Sequence, residues 1–290
     1  MREQHTSRRP GCHRPASAVF RGAPLALWTL FVVVPVGAGA ITLVSVNDEI
    51  AIGRETQAQI SKQTPQVRER AVTDYIDRIG RALAARATGP QYPYTFDVAN
   101  YREVNAFALP GGPVWVHRGT IEVAETEAQL AGVLAHEVAH ISERHAADQL
   151  TKSVVANFGL GLLGALLGNS GGANAAQIAA RFAAGGAFLK FSRDDEREAD
   201  RVGAEIMHRA GWDARGMVEF MRVLDEQAQR NPNAVEVFFS THPPPQNRVE
   251  LLQEITPRLR GGRRDSAEFR SVKARLRRMA PAKAMKGGTR

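Results

Sequence analysis

The stretch LAGVLAHEVAHISERH, Leu130–His145, decides the fold prediction for this chain. It contains His-Glu-X-X-His in an apolar run, and histidines four positions apart lie on one face of a helix. His136 and His140, when neutral, supply two corners of a tetrahedral zinc site. Glu137 lies beside them and is placed to accept a proton from a water molecule at the metal. The motif therefore predicts a zinc-dependent hydrolase.

The flanking residues favour a buried helix. Thr126 and Gln129 form a capping box at its start, the apolar positions follow a helical period, and Gly132 is the one interruption. We expect this helix to run from Glu127 to about Leu150. The competing interpretation, two exposed histidines on a surface helix, fits poorly. The apolar neighbours would bury both rings, and buried imidazoles need polar partners.

The net charge of +8 is concentrated at the two ends of the 290-residue chain. Residues 1–22 carry a net charge of +4 and the basic C-terminal tail, 257–290, carries +10, which leaves the body acidic. We expect no nucleic-acid partner, because the body lacks basic patches interleaved with aromatic residues. Anionic lipid is the expected partner of the tail instead. The single Cys12 excludes an intrachain disulfide and a cysteine-ligated zinc site.

Residues 1–46 combine a basic start with an uncharged run, Ala23–Val46. Two interpretations stay open. The run is either the apolar core of a signal peptide that is cleaved near Ala40, or an anchor that stays in the inner membrane. Pro35 and the neighbouring glycines weaken a continuous helix and favour cleavage. Both interpretations export the remainder of the chain to the periplasm or cell envelope.

Residues 47–256 form the predicted peptidase domain. Its expected fold class is α+β and mostly helical, with a small β-sheet beside the His-Glu-X-X-His helix. Strands are predicted at 94–99 and on both sides of a Pro-Gly-Gly-Pro turn within 104–121. Helices are predicted at 48–62, 67–87, 192–210, 214–229, 246–255 and 267–279, and a short strand at 235–239.

Residues 153–180 contain no charged side chain, and 154–167 is their most apolar part. Glycines interrupt this part, so it is too short for a transmembrane span. It predicts a helical hairpin that lies over the active site or dips into a membrane surface. Two core helices built from small residues are an equally good alternative.

A catalytic zinc site needs a third protein ligand and one open position. His145 follows His140 by five residues, which rotates it off the ligand face of the helix. The remaining candidates are His117, His242 and the carboxylates of the helix at 192–210.

Two carboxylates of that helix share a face. Glu196 and Asp200 are one turn apart. Glu196 is the favoured ligand, while Asp200 accepts the second ring N–H of a ligating histidine and thereby fixes its tautomer. Glu198 is the fallback ligand.

Four segments together resemble the HtpX/BepA-like family of zinc metallopeptidases, the gluzincin group related to the CAAX prenyl proteases. The segments are Asn105–Gly112 (NAFALPGG), the HEVAH motif, Ser192–Asp200 and His242–Arg248. The resemblance covers about 48–256 and points to the BepA-like periplasmic branch. The chain departs from the family because it lacks the multiple membrane spans of HtpX, and its residues after 256 do not resemble the helical repeats of BepA.

The resemblance implies roles for residues near the metal. Glu196 matches the third zinc ligand, and Asp200 matches the acid that supports a ligand. His242 matches a histidine that either holds the zinc in a resting state or assists the transition state. Arg248 matches an arginine of the same motif, and of these two we favour His242 as the donor to the oxyanion.

The resemblance also implies how substrate binds. Asn105, Gly111 and Gly112 match the strand segment beside the cleft, where an extended polypeptide adds as a further strand. One zinc ion per chain is the implied cofactor.

The expected function is a zinc-dependent endopeptidase of the bacterial cell envelope that acts on misfolded or misassembled proteins. The alternative is a largely closed, chaperone-like assembly factor whose cleft is blocked by 154–167 or by His242. Contact with a membrane surface is expected through the N-terminal segment, through 154–167 or through the basic tail.

Overall fold

A computed structural model of the chain describes residues 44–152, 190–243 and 248–285. Residues 1–43, which include most of the predicted signal peptide or anchor, lie outside the described residues. The apolar segment 154–167 also lies outside them. Within the described ranges, no helix is both long and apolar enough to cross a membrane.

The described ranges contain helices and a small sheet. The helices are α1 Val46–Gln63, α2 Arg70–Ala84, α3 Arg118–Val123, α4 Glu127–Ser142, α5 Arg193–Arg209, α6 Arg215–Arg230, α7 Pro232–Thr241, α8 Arg248–Ile255 and α9 Ala267–Arg278. Residues 145–152 are also helical. The strands are β1 Thr95–Ala99, β2 Ala106–Ala108 and β3 Pro113–His117.

The three strands form one sheet in the order β1-β3-β2. β1 runs parallel to β3, with Thr95 opposite Pro113, and β2 runs antiparallel to β3, with Phe107 opposite Trp115. Helix α4 packs against β2 and β3. The prediction of a mostly helical α+β fold with a small sheet beside the His-Glu-X-X-His helix is therefore confirmed.

Helix α4 lies in the core, and every one of its residues is buried. It begins where Thr126 accepts a hydrogen bond from the backbone N–H of Gln129 at 3.3 Å. Its closest helical neighbour is α5, which crosses it at Gly203. A Cβ at this glycine would lie 3.1 Å from the backbone nitrogen of His136. The glycine thus lets the two helices that carry the predicted ligands approach each other.

Helix α5 begins as the sequence predicts. Ser192 accepts a hydrogen bond from the Asp195 N–H at 3.2 Å, and Asp195 accepts one from the Ser192 N–H at 2.8 Å. This capping box fixes the first turn, and Glu196 and Asp200 then follow on the buried face.

The predicted strand at 235–239 is wrong, because these residues belong to helix α7. Pro232 occupies the first turn, where its missing N–H costs no hydrogen bond. Val235 and Phe238, three residues apart, are buried together. The four valine and phenylalanine side chains of this short run favour a strand, but the packing of a helical face decides the structure.

The predicted extent of the metal helix is also wrong, because α4 ends at Ser142 and helical structure resumes at 145. Arg144 lies between them in the left-handed region, with φ of +62°. Neither glycine nor proline marks this break in the sequence.

Residues of the basic C-terminal tail pack onto the domain. Helix α9 buries Phe269, Val272 and Leu276 and packs against α2 and α3. The buried Arg118 donates to the carbonyl oxygens of Leu276 and Ala280, each at 2.7 Å. A cation at the carboxyl end of a helix is favoured by the helix dipole and stabilises this end.

Candidate metal centre

Four buried side chains from three helices converge at one point. His136 and His140 come from α4, Glu196 from α5 and His242 from the carboxyl end of α7. One ligand atom from each lies within 4.8 Å of the others. Nε2 of His136 is 3.0 Å from Nε2 of His140, and each of these atoms is 3.4 Å from an oxygen of Glu196.

These spacings fit a tetrahedral metal. For ligand distances of about 2.0–2.1 Å, neighbouring ligand atoms in a tetrahedron are about 3.3–3.4 Å apart. Nδ1 of His242 completes the set, 3.4 Å from Nε2 of His136 and 2.9 Å from Oε1 of Glu196. Imidazole nitrogens with one carboxylate are a donor set that suits zinc.

Asp200 orients the first of the two histidines of α4. Its Oδ1 lies 3.1 Å from Nδ1 of His136. A proton on Nδ1 directed at this carboxylate leaves the Nε2 lone pair for a metal. The structure therefore places Asp200 beside His136, and its role in supporting a metal ligand stays a prediction.

Arg248 contacts two buried carboxylates of α5, Glu196 and Asp200. Its Nε and Nη2 donate to the two oxygens of Asp200 at 2.6 and 2.7 Å, and its Nη1 is 2.7 Å from Oε2 of Glu196. The guanidinium is buried, so this bidentate arrangement holds both acids in place.

The charges of the cluster shift its pKa values in opposite directions. Burial raises the pKa of Glu196, but His242 and Arg248 outweigh it and hold the pKa well below its usual value. Burial likewise raises the pKa of Asp200, but Arg248 and His136 together lower it below its usual value. Both carboxylates are therefore ionised at neutral pH.

The two histidines of α4 also differ. Burial lowers the pKa of His136, but hydrogen bonds to Asp200 and Glu196 outweigh burial and raise the pKa to about 9. Burial holds the pKa of His140 well below its usual value. A divalent cation thus competes with one proton, held on His136.

Glu137 stands apart from the other acids of the site because it is buried and its side chain accepts no hydrogen bond from the described residues. Within the ranges that the structure describes, neither carboxylate oxygen makes a hydrogen bond, and Oε1 lies 3.4 Å from Nε2 of His242. Burial raises its pKa, with His242 and His136 opposing the shift. A carboxylate with unused acceptors beside a metal cluster is suited to take up a proton.

Sequence reasoning missed two neighbours of His140. Nδ1 of His145 lies 2.9 Å from Nδ1 of His140, and the ring of Phe191 stacks on His140 with centroids 3.8 Å apart. The rotation argument against His145 assumed an unbroken helix. No signal in the sequence reveals the break at Arg144, since arginine rarely adopts a positive φ.

Two other ligand candidates lie outside the cluster. His117 is buried, and its Nδ1 is 3.1 Å from the Glu103 carbonyl oxygen. Burial lowers its pKa to about 4. Glu198, the fallback ligand, is exposed and lies beside His145.

The structure gives the predicted substrate-binding residues a packing role. Asn105 is fully buried, and its backbone N–H and carbonyl both bond the hydroxyl of Thr120. Gly111 and Gly112 have positive φ, and a Cβ at Gly111 would lie 2.4 Å from the Cα of Ile50 in α1. The turn therefore requires glycine for packing against α1, and contact with substrate stays a prediction.

Comparisons with known proteins agree with this geometry. A model of peptidase family M48 matches residues 70–256. The beta-barrel assembly-enhancing protease of Escherichia coli K12 is 30% identical over 219 residues, which are 73% of this chain and 45% of that protein. The protein of the same name from Yersinia pestis is also 30% identical, over 74% of this chain and 45% of its own length.

A mitochondrial relative matches a shorter part. The mitochondrial metalloendopeptidase OMA1 of Schizosaccharomyces pombe is 31% identical over 185 residues, which are 64% of this chain and 53% of that protein. The chain spans about half the length of the curated relatives it matches. Because the family model covers well over half of the chain, and because the sequence resemblance points to the same group, this protein belongs to peptidase family M48.

Proposed function

We propose that this protein is a zinc-dependent endopeptidase, with His136, His140 and Glu196 as the ligands. The observation that carries this proposal is the buried Glu137, which has no hydrogen-bond partner in the described part of the chain and lies next to the converged cluster. A purely structural carboxylate in the same helix would be expected to have its acceptors satisfied.

The residues divide the chemistry among them. A bound zinc ion would polarise the scissile carbonyl and lower the pKa of the attacking water. Glu137 accepts the proton of that water and returns it to the departing amine. Asp200 and Arg248 keep His136 and Glu196 in position.

His242 supports a closed resting state. Its Nδ1 lies among the ligand atoms, 2.9 Å from Oε1 of Glu196, while its Nε2 lies 3.4 Å from Oε1 of Glu137. A ring in this place occupies the fourth corner of the site and also faces the general base. The substrate carbonyl and the attacking water need both positions, so cleavage requires His242 to move. This contact also favours the second candidate function, a closed assembly factor with little proteolysis.

The proposed substrates are misassembled proteins of the cell envelope. The relatives named beta-barrel assembly-enhancing protease support this choice, and the basic, apolar N-terminal segment is consistent with export. An apolar cavity borders His136 and Glu137 and is lined by Val133, Met217 and Phe220, among others.

Cleavage of casein, an unfolded protein, by the zinc-loaded full chain tests both candidates. Chelator-sensitive cleavage supports the peptidase. His242→Ala should increase the rate, because it opens the fourth corner; a lower rate would show that His242 assists the transition state instead. If zinc binds in stoichiometric amounts but neither protein cleaves, and aggregation of an unfolded client is suppressed, the assembly-factor function replaces the peptidase.

A further inference from the structure

His140 has a buried partner that lies outside the ligand set. Its Nδ1 is 2.9 Å from Nδ1 of His145, and both side chains are buried. On the far side of the ring, Nε2 of His145 lies 3.4 Å from Oε2 of Glu198 in α5. The three side chains form a line that runs from the cluster to an exposed carboxylate.

Metal ligation would fix the protons along this line. When Nε2 of His140 gives its lone pair to a metal, Nδ1 of the same ring carries the proton and donates it. Nδ1 of His145 must then accept, so the proton of His145 is on Nε2 and points at Glu198. Each donor faces an acceptor, as in the contact between His136 and Asp200.

The backbone turn after α4 brings His145 to this position. Helix α4 ends at Ser142, Arg144 adopts φ of +62°, and helical structure resumes at 145. The Arg144 side chain holds the turn, because its Nε donates to the buried Glu49 at 2.7 Å and its Nη2 to the Val44 carbonyl at 2.5 Å. A non-glycine residue keeps a positive φ where surrounding contacts impose it.

We propose that His145 is a positioning residue of the metal centre, which accepts the Nδ1 proton of His140 and thereby fixes the tautomer and orientation of that ligand. Glu198 supports His145 from the exposed side. The inference rests on the metal ligation proposed above. Phe191 stacks on the His140 ring, and the hydrogen bond to His145 sets how the ring is turned within its own plane.

Zinc affinity of the full chain, measured by competition with a chromophoric chelator, is the first test. His145→Phe keeps a flat ring but accepts no hydrogen bond, and it should weaken zinc binding about 10- to 100-fold. His145→Asn keeps an acceptor close to the position of Nδ1 and should stay within about threefold of the unmodified chain. Glu198→Ala should lose only a few-fold, because its contact is long and exposed.

Glu205→Ala is the matched control. Glu205 is another acid of α5, partly exposed, and it shares the partner Arg201 with Glu198. It should leave the affinity unchanged. The cobalt-substituted proteins give a second signal, since loss of the hydrogen bond changes the visible spectrum of His145→Phe and not that of His145→Asn.

A third measurement needs no substitution. In the zinc-loaded chain with ¹⁵N-labelled histidine, the bond predicts a scalar coupling across the hydrogen bond between the two Nδ1 atoms, with the proton on His140. This keeps the proposal testable even if His145→Phe fails to fold.

The outcomes separate this inference from the proposed function. An unmodified chain that binds no zinc overturns both. Stoichiometric zinc binding with equal affinities for the chain and His145→Phe overturns the role of His145 alone. Equal weakening of zinc binding by His145→Phe and His145→Asn also overturns the role of His145, because the hydrogen-bond acceptor would then have no effect. Absence of the scalar coupling overturns it as well.

Discussion

Two buried glutamates of α4 have opposite surroundings. Glu127, in the first turn, accepts hydrogen bonds from the Tyr75 hydroxyl at 3.0 Å and the Trp212 indole at 2.7 Å, and it also bonds Ser266. Arg263 adds an ion pair at 2.7 Å. The side chain of Glu137, three turns along the same helix, makes no hydrogen bond to any residue that the structure describes.

One helix thus contains a glutamate whose contacts stabilise the fold and a second glutamate that is suited to accept a proton. A buried carboxylate with its acceptors filled joins distant parts of the chain and contributes to stability. A buried carboxylate with its acceptors unused costs stability and is retained where a proton has to be received. Each of the two glutamates can be tested with the same substitution to glutamine, which keeps the shape and removes the charge.

The largest expected effect belongs to Glu137→Gln. We expect casein cleavage to fall about 10²- to 10⁴-fold, because the general base is lost, while zinc content stays the same. The free energy of unfolding should be unchanged or higher, since an unpartnered buried charge is removed. Undiminished cleavage would refute the assignment of Glu137, and a large loss of stability would refute the contrast with Glu127.

Glu127→Gln should show the reverse pattern. We expect the free energy of unfolding to fall by about 2–4 kcal/mol, because the buried donors of Tyr75 and Trp212 lose a charged acceptor. Zinc stoichiometry should be retained. Denaturant unfolding measures the change, with Glu125→Gln as the control on an exposed neighbour, expected within about 0.5 kcal/mol of the unmodified chain. A loss no larger than the control's would contradict a structural role.

The pH dependence of zinc affinity tests the surroundings of Glu137 further, because the neighbouring His136 holds a proton. The pKa of His136 is raised to about 9, so below that pH the ring carries a proton that a metal must displace. Apparent affinity should therefore rise about tenfold per pH unit up to about pH 9 and then level off. Asp200→Asn removes a hydrogen bond that raises this pKa and should move the plateau to lower pH. Competition with a chelator across the pH range measures the zinc affinity. A constant affinity would contradict this prediction.

Arg263→Met should have the smallest effect. Arg263 is half-exposed, pairs with Glu127 and lies over the Trp212 ring at 4.6 Å. An exposed ion pair and an exposed cation–π contact together stabilise by about 1 kcal/mol or less. Thermal or denaturant unfolding would measure the change in the free energy of unfolding. A loss equal to that of Glu127→Gln would show that the ion pair, and not the buried donors, makes the glutamate structural.

The sequence predicts the parts of this fold and site that depend on local pattern. The period of α4, the capping box of α5 and the pairing of Glu196 with Asp200 all follow from residues within one or two turns. The H-E-x-x-H spacing likewise places His136 and His140 on one face, where the structure has them.

Other features depend on contacts that a local pattern does not contain. The partners of Glu127 are 52 residues before it and 139 residues after it. The break in α4 depends on Arg144 and its contact with Glu49, 95 residues away. The strand predicted at 235–239 became α7 because burial of Val235 and Phe238 on one helical face outweighed β propensity.

The contacts of Glu127 show that the folded unit extends beyond the part of the chain that the family model matches. The family match ends at residue 256, yet Ser266 and Arg263 lie beyond it, as does Phe269, whose ring stacks on Tyr75 at 6.4 Å. A chain cut at the family boundary would expose the slot that Phe269 fills and leave Glu127 with two donors. Expression vectors for this protein should therefore keep the arginine-rich end through residue 285, even though its composition suggests a dispensable extension.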